Sequence, residues 1–155
     1  MKKGFTLIEI VVVLAIIGIA IGLFYSIFYL NWSSFEKQLA LVDLGQEADK
    51  IMEMISLDGR LVTNIQVSEG NKITTLTLMD LEGNIIDIIT YTITEKGQIQ
   101  RNEEVLSENI EFDDSLFRRV GSSLVVELLL QDYVFGQDVQ LPIETQIFPR
   151  NSAQL

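Results

Sequence analysis

Glu9 is the residue whose placement poses the sharpest chemical question in this sequence. It heads an apolar run, and residues 10–35 carry no charged side chain. An ionised carboxylate entering a bilayer costs on the order of several kcal/mol, so a plain membrane anchor would omit it. Elsewhere the inventory for catalysis is thin. The chain has no His and no Cys, which removes the usual nucleophile–base triads, His-ligated or thiolate zinc, and disulfides. The pairs Asp113-Asp114 and Glu103-Glu104 offer the oxygen donors that calcium takes, and two carboxylates can serve a glycosidase. No Asp-x-Asp-x-Asp-Gly loop accompanies them, so they read as a solvated face. No catalytic activity, metal or cofactor is expected.

The elements that hold Glu9 come from composition and pattern. At 155 residues the chain has room for one membrane segment and one modest domain. Hydrophobic residues make up 48% of it, but they concentrate at the N-terminus. Beyond residue 35 stand nine Lys and Arg against 21 Asp and Glu, a balance of −12. Such a field repels nucleic acid, so direct DNA or RNA binding by this part is disfavoured. The lack of Cys leaves the redox compartment undecided.

Three readings of the N-terminus compete. A secretory signal peptide would use Lys2 and Lys3 before its apolar core, but this core runs to roughly 20 residues against the usual ~7–15. It also has a charge inside its start, and Leu23-Phe24-Tyr25-Ser26 is too bulky for a cleavage site. An ordinary signal anchor fits better. Residues 10–30 are long enough to cross about 30 Å of hydrocarbon as a helix, with the lysines held in the cytoplasm and Tyr25, Tyr29 and Trp32 at the far interface. That reading leaves Gly4-Phe5 and Glu9 unexplained.

The third reading covers both. Lys2-Lys3-Gly4-Phe5-Thr6-Leu7-Ile8-Glu9 resembles the class III signal of the type IV pilin and pseudopilin family. The resemblance implies that prepilin peptidase cuts between Gly4 and Phe5 and N-methylates the new Phe5 amine. Glycine suits such a cut because no Cβ obstructs close approach to the backbone. Glu9 lies four residues after Phe5, one turn along the same helix face. The freed ammonium would be buried without a partner, and a carboxylate at that depth can neutralise it. In the family the amine belongs to a neighbouring subunit, which makes Glu9 an assembly residue.

The helix is expected to continue past the membrane, because Asn31-Trp32-Ser33-Ser34 contains neither proline nor glycine. Phe35, Leu39, Val42, Ala48, Met52 and Ile55, widened by Leu41, Leu44 and Ile51, predict an amphipathic stripe. Asp58-Gly59 predicts a left-handed stop. Residues 5–57 would then form one helix of roughly 80 Å, with Gly18, Gly22 and Gly45 as soft points. Many family members carry proline where this chain has Ser26, which leaves open whether the helix melts on assembly.

Alternation predicts strands over residues 73–79, 85–94, 99–101, 124–130 and 139–147, with turns at Glu82-Gly83-Asn84 and Glu95-Lys96-Gly97-Gln98. Residues 61–67 are a weaker candidate, 103–116 are ambiguous, and Pro142 marks the last strand as an edge or a broken strand. The expected fold is therefore α+β and pilin-like: a long N-terminal α-helix, transmembrane then amphipathic, packed on an antiparallel β-sheet. The expected divisions are a leader at 1–4, a transmembrane and assembly helix at 5–30, its amphipathic continuation at 31–58, and an extracytoplasmic β-rich domain at 59–155.

The C-terminal order also resembles J-type minor pseudopilins of type II secretion and W-type minor pilins. The cues are Tyr91-Thr92-Ile93, a short hairpin to Gln100-Arg101, the stretch from Val105 through Phe112, a hydrophobic strand, and Phe148-Pro149-Arg150-Asn151. This implies a low-copy subunit that primes or tips a filament. The implied partners are prepilin peptidase, other minor and major pilins or pseudopilins, an inner-membrane platform protein with its cytoplasmic ATPase, and membrane lipid. The implied location is the inner membrane, single-pass, with the N-terminus cytoplasmic, and then the pilus or pseudopilus. The rival classes are a membrane-anchored acidic receptor or adhesin domain and a competence pseudopilin for DNA uptake.

Overall fold

A computed structural model describes residues 6–68, 70–80 and 82–149. The chain divides into two compact units, Met1–Leu39 and Ala40–Leu155. One helix, α1, spans Leu7–Leu61.

In the first unit α1 is apolar on every face. Among the described residues of this unit, the side chains from Leu7 to Trp32 are exposed all round. A helix hydrophobic all round needs lipid or other helices as its surroundings, and by length and composition this one can cross a membrane. It runs unbroken through Gly18, Gly22 and Ser26. Ser26 Oγ donates to Gly22 O at 3.0 Å, and Ser34 Oγ donates to Leu30 O at 2.9 Å, so both hydroxyls are satisfied by the preceding turn of the same helix. The rings of Phe28 and Trp32, one turn apart, stack with centroids 6.1 Å apart.

In the second unit the last turns of α1 pack on two antiparallel sheets. The first sheet has the order β1-β2-β3-β4-β5, from Asn64–Val67, Ile73–Met79, Ile85–Thr94, Gln98–Arg101 and Glu104–Ser107. The second has the order β6-β7-β8, from Leu116–Val120, Ser123–Val134 and Gln137–Ile147. A single sheet was expected. The ambiguous segment 103–116 explains the difference: it supplies β5 and then bridges the sheets. Ile110 N donates to Gly97 O, while Glu111 N and Gln131 N complete the link to β7 through Leu129 O and Asn109 O. Gly97 has φ +75°, and a Cβ there would stand 2.9 Å from Ile110 O, so both the turn and the crossing segment require glycine.

The two long hairpin strands fall where alternation puts them, at Ile73–Met79 and Ile85–Thr94. Pro142 lies in β8, an edge strand, opposite Leu129, which is where a residue lacking an N–H is tolerated. The expected amphipathic stripe holds from Leu44 onward, through Ala48, Ile51, Met52 and Ile55, and fails before it. Ala40, Leu44, Ala48, Ile51, Ile55 and Gly59 are buried, with Met52 at the margin, whereas Phe35, Leu39, Leu41 and Val42 are exposed. The seam runs on small residues at its start, because Ala brings the helix close to the sheets. Gly59 is likewise not a left-handed stop. It is helical and buried, α1 continues to Leu61, and a Cβ on Gly59 would lie 2.8 Å from Ile147 Cγ2. Close packing, not chain reversal, is its role.

Candidate functional site

Glu9 sits in the first turn of α1, exposed, on the all-apolar portion of the helix. Thr6 precedes the helix, and its carbonyl accepts from Glu9 N at 3.1 Å and Ile10 N at 3.3 Å. Thr6 Oγ1 also accepts from Glu9 N, at 3.4 Å. This is half of a capping box, Thr-x-x-Glu, in which the N-cap hydroxyl satisfies an orphan backbone donor. The pattern is legible in the sequence but was missed beside the question of charge. A carboxylate in a first turn also meets the positive end of the helix dipole. Glu9 therefore has a local structural reason to stand in the first turn of an apolar helix. Gly4 and Phe5, the expected cleavage pair, lie outside the described residues, so their geometry relative to Glu9 is not defined.

A second polar constellation lies in the globular unit. Arg101 donates to Asp58 through Nε at 2.8 Å and through its second guanidinium nitrogen at 3.3 Å. Tyr91 OH donates to the same carboxylate at 2.5 Å. Tyr91 and Arg101 are register partners on β3 and β4, and Asp58 comes from the last turn of α1. The cluster thus clamps the helix end to the first sheet. Burial, then the bond to Asp58, push the Tyr91 hydroxyl far above its usual range. The bond to Asp58 likewise raises the Arg101 guanidinium. A phenol held neutral and a cation held charged make a poor acid–base pair for chemistry near neutrality. Tyr91 and Arg101 were cues in the sequence, but their shared partner Asp58 was legible only as part of a helix stop.

The acidic pairs do not assemble. Glu103, Glu104, Asp113 and Asp114 are exposed, and no group of three or more His, Cys, Asp or Glu able to hold a metal occurs among the described residues. Lys72 instead organises the loop beside Asp113-Asp114. It donates to the carbonyls of Phe112 and of Ser115, the latter at 2.5 Å, and stands 4.3 Å over the Phe112 ring. One groove of the globular unit sets Asp43, Glu47 and Asp132 beside Lys50 and Asn109, and another sets Asp114, Glu127 and Glu144 beside Leu128, Leu129 and Ile143.

No curated protein and no solved structure matches the chain significantly. Residues 1–25 match the family model described as the prokaryotic N-terminal methylation motif. That motif, leading into an exposed apolar helix and an α+β domain, is the class III prepilin signal and supports placing the chain with the type IV pilins and pseudopilins.

Proposed function

We propose that the protein is a minor pilin or pseudopilin, a structural subunit that primes or tips a type II secretion pseudopilus or type IV pilus. The observation that carries this reading is the methylation motif at residues 1–25, set directly on a helix long and apolar enough to cross a membrane. Prepilin peptidase removes residues 1–4 and methylates Phe5. The N-terminus faces the cytoplasm, α1 crosses the inner membrane once, and the acidic domain lies outside. Extraction by the platform protein, driven by its ATPase, exchanges lipid around α1 for the helices of other pilins.

Glu9 then compensates the ammonium of Phe5 on a neighbouring subunit. A buried ion left unpaired costs on the order of 3–5 kcal/mol, so the pairing selects the axial step. The test is Glu9→Val, with mature protein co-purified with its partner pilins at matched membrane levels. The variant should be cleaved and inserted normally, since removing a charge eases insertion, yet be recovered poorly with its partners. Equal recovery with normal filament number would remove Glu9 from the assembly contacts.

A further inference from the structure

The far half of the β2–β3 hairpin stands clear of its neighbours. β1 pairs with β2 only over residues 74–77, and β4 pairs with β3 only over residues 91–94. Among the described residues, Leu78 and Met79 therefore pair only with β3, and residues 85–88 only with β2. A two-stranded ribbon is marginal in water unless an apolar face is covered. Here Ile85, Ile86 and Ile88 are 59%, 61% and 48% exposed. Single exposed isoleucines are ordinary, but three within four residues on one free ribbon form a patch of the kind that marks interaction sites.

The register adds a second observation. Leu78 opposes Asp87 and Met79 opposes Ile85, so Ile86 has no residue opposite it. Such a bulge re-aims a side chain and ends regular pairing. Ile89, the next residue inward, returns to the core opposite Leu76. Among the described residues, the three isoleucines thus belong to no core.

Charge indicates what covers them. Residues 73–95 carry Asp80, Glu82, Asp87 and Glu95 and no Lys or Arg. Asp80, Glu82 and Asp87 are exposed beside the patch. An anionic lipid surface is repelled by such a rim, and a second copy brings its own excess of negative charge. We propose that this ribbon docks on a different protein whose surface has an apolar centre rimmed by Lys or Arg. The isoleucines supply contact area, and the acids steer encounter and select the partner.

The test uses the full chain in the cells that make it, with a photo-crosslinking benzoyl-phenylalanine at Ile86 and, as control, at exposed Gln140 on β8. The expected result is one discrete heterologous adduct at Ile86, weaker by about tenfold at Gln140, a difference of about 1.4 kcal/mol in contact. Its linked peptide should contain Lys or Arg beside apolar residues. Asp87→Lys, or Glu82→Lys as an independent variant, should reduce the adduct about tenfold without altering thermal unfolding. Changing the partner's basic residue to Glu should restore it. An adduct of two copies of this chain, an adduct with lipid, no adduct, or an adduct indifferent to both charge reversals would overturn the proposal.

Discussion

A Cβ placed on Gly59 would lie 2.8 Å from Ile147 Cγ2, so the end of α1 meets the end of β8 with no room for a methyl group. Gly59 is helical, and Ala at that site would ordinarily gain about 1 kcal/mol of helix propensity. The contact reverses the sign, because Ile147 is branched at Cβ and cannot swing Cγ2 aside cheaply. Gly59→Ala should destabilise the globular unit by about 1–2 kcal/mol, and Gly59→Leu by more. Thermal unfolding of the detergent-solubilised chain checks this. A stabilised Gly59→Ala variant would show that the approach is looser than the geometry states.

Asp58 serves two donors, and that asymmetry is measurable. Its side chain is 14% exposed against 30% for Arg101, while Tyr91 is fully buried. Asp58→Ala strands the Tyr91 hydroxyl without its acceptor, at a cost of about 1–3 kcal/mol. Tyr91→Phe removes the donor instead. The double variant should be less destabilised than the sum of the two singles, because without the phenol Asp58→Ala no longer strands a buried hydroxyl, while the loss of the Arg101 pair is the same with or without it. Strict additivity in denaturant unfolding would mean the bond contributes nothing to holding α1 on the sheet.

The same cluster sets a limit at high pH. Burial first, then Asp58, raise the folded-state Tyr91 hydroxyl above its unfolded value. Stability from this group is therefore fully present below about pH 10, the unfolded value, and is lost as pH rises through the higher folded value. The unfolding midpoint should fall above about pH 10 in the native sequence. That component of the fall should be absent in Tyr91→Phe. Identical alkaline profiles would place the loss of stability elsewhere.

The sequence exposed those features that depend on near neighbours along the chain. Alternation over 73–79 and 85–94 located β2 and β3 to the residue, because half-buried strands repeat every two residues. The apolar run of α1 was equally plain. Two misreadings share one cause. Phe35, Leu39 and Val42 follow the helical period as well as Leu44, Ala48 and Ile55 do, and only the tertiary partner decides how far along α1 the stripe is covered. Gly59 carries the same ambiguity, since glycine suits both a left-handed turn and a close approach. The Asp58–Arg101 pair joins residues 43 apart, and no local pattern announces it. At the N-terminus, Thr6 and Glu9 stand three residues apart, and that spacing alone announces a cap.

Mass spectrometry of the N-terminal peptide of the membrane-embedded protein decides whether the signal is processed. The mature chain should begin at N-methylated Phe5, and a Gly4→Leu variant should retain its leader because a bulky side chain blocks approach to the backbone. A native chain that keeps residues 1–4, or a Gly4→Leu chain that matures normally, would contradict that processing.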